Sequence, residues 1–144
     1  MKNKFIAFVC LLVLSQGCKV SLISNYDAAI ATQIENTLKM VDQFYLTMKE
    51  TTAEANDGRA YQHFVNQYIA IEIELQSLVD KNKVRPLNKN STAIAENVLE
   101  QFIKYKDQHK ADNTIKDANI ILNRMYMHDQ LVRLQMGESF KPRE

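Results

Sequence analysis

The chain has few of the residues that interrupt helices, with only three glycines and two prolines in 144 residues. This scarcity favours long helices over a sheet with many turns. The formal net charge of +1 gives no electrostatic basis for binding nucleic acid. The only cysteines are Cys10 and Cys18, so the chain beyond them has no disulfide, no thiol nucleophile and no thiolate metal ligand. The stability of that domain must come from packing.

The first residues have the pattern of an export signal. Lys2 and Lys4 give a positive start, an unbroken apolar run follows at 5–14, and a short stretch then leads into Cys18. The apolar run is about half of the roughly 20 residues that a membrane-spanning helix needs. We therefore expect 1–17 to be a signal peptide rather than a spanning segment or a core helix.

The residues around Cys18 resemble the processing site of bacterial lipoproteins. Gly17 followed by Cys18 fits that pattern, whereas Ser15 stands where leucine is usual and Gln16 is not small. The resemblance implies that the chain is cut before Cys18 and that this cysteine carries a lipid such as palmitate. A plain secretory signal cut after Gly17, or an uncleaved anchor, is the alternative.

The segment after Cys18 extends the resemblance. Ser24, Tyr26 and Asp27 form a Ser-x-Tyr-Asp stretch, which is similar to the start of small bacterial lipoproteins of unassigned activity. The resemblance implies an all-helical domain but no catalytic residue. Lys19 is not the aspartate that retains some lipoproteins in the inner membrane, so a Gram-negative host would place the protein in the outer membrane, facing the periplasm. The predicted divisions are a signal peptide at 1–17, a lipidated Cys and tether at 18–24, a helical domain at 25–137 and a tail at 138–144.

Apolar residues recur at spacings of three and four along most of the chain, which predicts four amphipathic helices. The first is capped by Ser24 or Asn25 and the last by Gly137. Apolar and polar residues alternate around Ile71, which also suits a strand, but the helical stripe extends well beyond this short segment. On the fourth helix, two overlapping stripes compete for the core face. The expected helices are 26–55, ended by residues 56–58; 59–82; one from Asn90 or Ser91 to 109; and one from Asp112 or Thr114 to 136. The first stripe of the fourth helix is Ile115, Ala118, Leu122, Met125, Asp129 and Val132; the second is Ile121, Met125, His128 and Val132.

Short connections between the first two and the last two helices suggest two antiparallel hairpins. We therefore predict an all-α fold, an up-down-up-down four-helix bundle. A three-helix bundle, in which the third and fourth helices fuse into one, is the alternative.

The three histidines are the first candidates for chemistry. His63, His109 and His128 could hold a metal, haem or another ligand inside a bundle, but no Glu-x-x-His pair of the di-iron type accompanies them. Partly buried polar residues near helix ends are the simpler explanation. No nucleophile motif and no phosphate-binding glycine loop occurs, so we expect no catalytic residue and no enzyme.

A basic loop between the second and third helices could contact lipid head groups or an anionic partner, although a solvated loop explains it too. Its cationic residues are Lys81, Lys83, Arg85 and Lys89. Taken together, the sequence predicts a membrane-anchored envelope lipoprotein that acts as a non-catalytic helical protein-interaction module. Its expected partners are the membrane, through lipid on Cys18, and another envelope protein, without nucleic acid and without a cofactor. The alternative is a carrier for a small ligand, metal or haem.

Overall fold

A computed structural model describes residues 22–143, so the predicted signal peptide and Cys18 lie outside the described residues. Within that range the chain forms four long α-helices and no β-strand. Two short 3-10 turns, Ala55–Asp57 and Tyr61–His63, lie between the first two helices. The helices are α1 (Ala28–Thr51), α2 (Val65–Lys83), α3 (Lys89–Asp112) and α4 (Asp117–Ser139).

The four helices alternate in direction and pack as a closed square. α1 packs against α2 and α4, and α3 packs against the same two helices. The start of α1 lies beside the end of α4, because the backbone N–H of Tyr26 donates to the carbonyl oxygen of Pro142 at 2.8 Å. The predicted four-helix bundle is confirmed, and the fused three-helix alternative is wrong.

The core forms where the helical stripes meet. In α1, Ile30, Ile34, Val41 and Met48 are buried at the predicted spacing. α2 is a helix and not a strand: Ile71 is buried, whereas Ile69 and Ile73, which would share its face in a strand, are exposed. Burying such aliphatic and aromatic side chains is the main driving force of folding, worth roughly 1.5–3 kcal/mol each.

The helix boundaries differ from the predicted ones at the turns. Asp27, not Ser24 or Asn25, caps α1, because its Oδ1 accepts the N–H of Ala29 at 2.9 Å and that of Ile30 at 3.2 Å. α1 ends at Thr51 and α2 begins only at Val65, so the 26–55 and 59–82 predictions were too long at this junction.

The junction between α1 and α2 is held by side chains that no local pattern reveals. Asn56 and Asp57 take the left-handed conformation, with φ of 56° and 57°, while Gly58 stays right-handed. Arg59 is buried, donates to the carbonyl oxygens of Thr52 and Ile115, and pairs with Asp117 at 2.6 Å. A fixed 3-10 connection therefore replaces the short turn that was expected.

α4 also differs at both ends. It begins at Asp117, so neither Asp112 nor Thr114 is its cap; Asn113 instead ends α3 in the left-handed conformation, with φ of 52°. It continues to Ser139, so Gly137 lies inside the helix and is not a C-terminal cap. The predicted tail at 138–144 is partly folded, because Glu138 and Lys141 are buried.

Candidate functional site

The three histidines do different things. His109 is buried on α3, with Nε2 2.8 Å from the carbonyl oxygen of Arg59 and Nδ1 2.9 Å from the hydroxyl of Tyr68. Since a carbonyl only accepts, Nε2 carries the proton and Nδ1 accepts from the Tyr68 hydroxyl. Burial lowers the pKa of His109, against the opposing effects of the Arg59 carbonyl and Asp112. This histidine is neutral and joins α3, α2 and the preceding junction.

His128 and His63 lie elsewhere and have other surroundings. His128 is half-buried on α4, with Nδ1 2.9 Å from Asp42 Oδ2, and Arg124 Nε is 3.0 Å from the other oxygen of that carboxylate. His63 is exposed in the second 3-10 turn. Its ring lies near that of Phe64, and the Phe64 ring in turn lies near that of His109. Residues 22–143 contain no group of three or more His, Cys, Asp or Glu that could hold a metal.

Of the four basic residues predicted to form a loop, only Arg85 lies between α2 and α3, because Lys81 and Lys83 belong to the last turn of α2 and Lys89 begins α3. Most of them are engaged within the protein. Lys81 donates to Gln33 at 2.6 Å, and Lys83 pairs with Glu96 at 2.9 Å at the surface. Arg85 turns inward, whereas Lys89 begins α3 in an exposed position. The four residues therefore do not form one uniform cationic surface.

Arg85 belongs to a buried charged cluster at the end of the bundle where α1 begins. Its guanidinium makes a two-pronged pair with the Glu138 carboxylate at 2.9 and 3.0 Å. Lys141 contacts the same carboxylate at 2.5 Å, and the backbone N–H of Asp27 donates to it at 2.8 Å. Lys141 also donates to Asn88 Oδ1 at 2.6 Å. We call Arg85, Asn88, Glu138 and Lys141 the Glu138 cluster.

The pKa values within this cluster follow its geometry. Burial alone would raise the pKa of Glu138, but the bonds from Arg85, Lys141 and Asp27 outweigh that effect and hold its pKa below the ordinary value. Burial lowers the pKa of Lys141, and the Glu138 carboxylate offsets only part of this change. The carboxylate is ionised at neutral pH and joins three separate parts of the chain.

The cluster also fixes the segment that precedes α1. Ser24 is buried; its hydroxyl donates to Asn88 Oδ1 at 2.9 Å, and its backbone N–H donates to the carbonyl oxygen of Leu87 at 3.2 Å. Arg85 also donates to the carbonyl oxygen of Asn25. The folded domain therefore includes Ser24, whereas the sequence predicts a tether that ends at residue 24.

Large apolar side chains surround this cluster on the outside. We call Leu22, Val84, Leu87 and Phe140 the Leu87 rim; they are 82%, 81%, 58% and 78% exposed. Leu22 and Leu87 also line an open groove of about 450 Å³ at this end. Leu87 has a φ of 57°, which is rare for a residue with a branched side chain.

The second exposed apolar surface lies along α4. Its buried face is formed by Ile120, Met127, Leu131 and Leu134. Neither of the two predicted stripes of the fourth helix is this face, so both had the wrong phase: Leu122 of the first is 60% exposed, and Ile121 of the second is 40% exposed. The first predicted stripe without the buried Ile115, extended by Met136, lies on the other side of the helix. We call it the α4 outer face; its members are Ala118, Leu122, Met125, Asp129, Val132 and Met136.

The spacing of the α4 outer face is regular. Successive members are separated by alternating steps of four and three residues, which is the repeat of a coiled-coil seam. Met125 and Met136 are 55% and 51% exposed, and the flanking Ile121 and Tyr126 are also partly accessible. Asp129, also exposed, is the one charged member of the seam.

A smaller apolar groove lies between α1 and α2. It has a volume of about 250 Å³ and opens to solvent. Its lining combines the apolar Met40, Phe44, Phe64 and Ile71 with the polar Gln43 and Gln67. The groove could accept a short apolar group with a polar end.

Sequence reasoning found some of these features and missed others. The sequence pattern predicts the α4 outer face from Ala118 to Val132 as a helical stripe, but it does not show that this stripe faces away from the core. The Glu138 cluster was missed, because Arg85 and Glu138 are separated by 53 positions in the chain. The only local signal was Lys141 three residues after Glu138, a spacing that favours an ion pair on a helix.

Comparisons with protein-family models, with curated proteins and with solved structures find no match to this chain. Of the helices in residues 22–143, none combines the length and the apolar character needed to cross a membrane.

Proposed function

We propose that this protein is a lipid-anchored lipoprotein of the cell envelope whose helical bundle is a non-catalytic protein-interaction module. The anchor is supported by the Lys2, Lys4 and 5–14 signal pattern ending at Cys18. The interaction role is carried by a single observation, the exposed α4 outer face with its coiled-coil spacing. Isolated exposed apolar side chains are ordinary, whereas a contiguous exposed apolar stripe is typical of an interaction surface.

The surface fits one occupant, an amphipathic helix of another envelope protein. Side chains spaced by alternating steps of four and three residues form one line along a helix, and in a coiled coil such side chains insert between those of a second helix. Asp129 would leave water when that helix docks, and burying an unpaired carboxylate is strongly unfavourable. The partner helix must therefore place a lysine or arginine opposite Asp129, between apolar residues that contact Met125 and Val132. This charge requirement gives the interface its register and its specificity.

The anchor is tested by the Cys18→Ser variant. The wild-type protein should sediment with membranes, and its mature mass should include acyl chains on Cys18. The variant should be released into the soluble fraction. A processed Cys18→Ser form that stays on membranes would contradict lipid anchoring.

The docking surface is tested by site-specific photocrosslinking in the intact envelope. A photoreactive residue at Leu122 should give one discrete crosslinked product, and adding Met125→Lys should abolish it. The matched control is a photoreactive residue at Ile73, which is 62% exposed on α2 and outside the α4 outer face. Equal products from both positions, or a product of twice the mass of this chain, would refute the proposed heterologous partner.

Partner chemistry is tested by reversing the charge of the seam. Asp129→Lys should weaken the Leu122 crosslink at least as strongly as Asp129→Asn, because it places two cations together in a buried seam. When the opposing lysine or arginine of the captured partner is replaced by glutamate, the Asp129→Lys variant should crosslink to that partner again. If crosslinking is not restored, the predicted pairing of Asp129 with a cation of the partner is wrong.

The α1–α2 groove supports a second candidate function, a carrier for a small apolar ligand. Native mass spectrometry of the purified protein should then show a bound molecule, which Ala70→Trp at the groove should displace. Protein that is free of ligand both from its native host and after incubation with fatty acids would eliminate this candidate.

A further inference from the structure

We infer that the end of the bundle carrying the Leu87 rim rests on the membrane surface, with the rim side chains seated among the lipid head groups and the opposite end held away from it. This inference rests on the proposed lipidation of Cys18, and it concerns how the domain is oriented once anchored. It follows from three independent features: the reach of the anchor, the rigidity of its attachment and the chemistry of the rim.

The anchor cannot be far from the rim. Leu22 follows Cys18 by four residues, and a fully extended chain of that length spans at most about 14 Å. Acyl chains on Cys18 enter the bilayer at that residue, so Leu22 is restricted to the neighbourhood of the head groups. The groove shared by Leu22 and Leu87 lies at the same position.

The bundle cannot swing freely about this point. Ser24 is bonded to Leu87 and Asn88, Tyr26 to Pro142, and Asp27 to Glu138. Each bond joins the entering chain to a different part of the same bundle end. From Ser24 onward the chain is therefore fixed to the bundle, and the Glu138 cluster connects this attachment to the helices.

The chemistry of the rim suits a phospholipid surface. Phe140, Val84 and Leu22 are about four-fifths exposed, and the exposed Lys89 follows Leu87 by two residues. Apolar side chains with neighbouring lysines bind at the head-group boundary, where the chains bury apolar area and the cations meet phosphates. The charge of Glu138 at this end is compensated internally by Arg85 and Lys141, so it does not oppose approach to an anionic surface.

The backbone at Leu87 supports the same interpretation. A left-handed conformation costs an L-residue free energy that a local alternative would avoid. Here it accompanies an exposed leucine whose carbonyl oxygen receives the Ser24 N–H. The geometry therefore couples the docking of the entering chain to the outward presentation of an apolar side chain.

The test uses the mature lipidated protein, in which an introduced cysteine is the only free thiol. Single variants Leu87→Cys and Phe140→Cys are labelled with an environment-sensitive fluorophore and placed in vesicles of phosphatidylethanolamine and phosphatidylglycerol. Lys110→Cys, exposed in the last turn of α3 at the opposite end, is the matched control. We expect blue-shifted emission and quenching by lipid-borne nitroxide at positions 87 and 140, and neither effect at position 110.

The outcomes separate this inference from the proposed function. Acylation and vesicle flotation are measured first by intact mass and by density gradient; absence of either would overturn the anchor and the inference with it. A lipidated, floating protein with equal, solvent-like emission at all three positions would overturn the orientation alone. Stronger quenching of a label at Leu122→Cys than at position 87 would also overturn it, because the bundle would then lie on α4. Circular dichroism of each variant verifies that the fold is retained.

Discussion

Replacing the buried Glu138 by glutamine should strongly destabilise the bundle. Glu138 is 1% exposed and compensates two neighbouring cations, Arg85 and Lys141, whose side chains are 14% and 6% exposed. Removing one partner of a buried ion pair costs about 3–5 kcal/mol, because the remaining charge stays buried without compensation. Glutamine keeps the shape and one acceptor oxygen, so we expect a loss of about 3 kcal/mol. That is a large share of the roughly 5–15 kcal/mol that stabilises a typical domain.

The assay is urea unfolding followed by circular dichroism at a helical wavelength, with thermal unfolding in parallel. For a domain of this size the expected loss corresponds to a decrease in Tm of about 12 °C. Glu35→Gln is the matched control, because Glu35 is half-exposed and pairs with Lys39 on the surface of α1. Exposed pairs of this kind contribute at most about 0.5 kcal/mol.

The pH dependence provides the decisive comparison. The pKa of Glu138 is lowered in the folded protein, so its contribution to stability is present above the ordinary value of 4.5 and is lost as the pH falls through the lowered value. The difference between wild type and Glu138→Gln should therefore shrink in acid. A difference that is below 1 kcal/mol at neutral pH, or that stays constant on acidification, would refute the charge-based reasoning.

Three further predictions concern single positions. Gly137→Ala should stabilise by about 0.5–1 kcal/mol in urea unfolding, because Gly137 lies inside α4 and an added Cβ meets no atom within 4 Å. Gly58→Ala should destabilise by about 1–3 kcal/mol in the same assay, because its Cβ would lie 2.5 Å from the carbonyl oxygen of Ala53. Burial lowers the pKa of His109 below its ordinary value of 6.5, so the wild-type protein loses stability as the pH falls below 6.5. His109→Gln should remove this part of the acid sensitivity. Unfolding curves at pH 7 and pH 5 measure this difference.

Each of these predictions has a contradicting outcome. A destabilising Gly137→Ala would mean that the glycine caps the helix, as its position near the end suggested. A neutral Gly58→Ala would mean that the 3-10 junction relaxes at little cost. Identical acid sensitivity of wild type and His109→Gln would mean that the imidazole is protonated without disturbing Tyr68.

The number of helices and the buried side of α1 could be predicted from the sequence, because both depend on local pattern. Scarce glycine and proline leave long uninterrupted segments, and Ile34, Val41 and Met48 repeat at helical spacing between polar residues. The α1–α2 junction could not be predicted in this way, because it depends on Arg59. This side chain donates to the carbonyl oxygens of Thr52 and of the distant Ile115, and the local sequence does not reveal the second contact. Long-range contacts of this kind outweigh local propensity at helix ends.

The prediction of which side of α4 is buried was wrong for a different reason, and that reason bears on function. Ile120, Met127 and Leu131 form a helical stripe on one side, while Leu122 and Met125 form a second stripe on the other. Periodicity alone cannot tell which stripe packs against α1 and α3, since both satisfy the same spacing. A helix that needed only to cover a core would require one of them. The second stripe is therefore the sequence feature that demands another explanation, and the proposed docking of a partner helix on the α4 outer face would supply it.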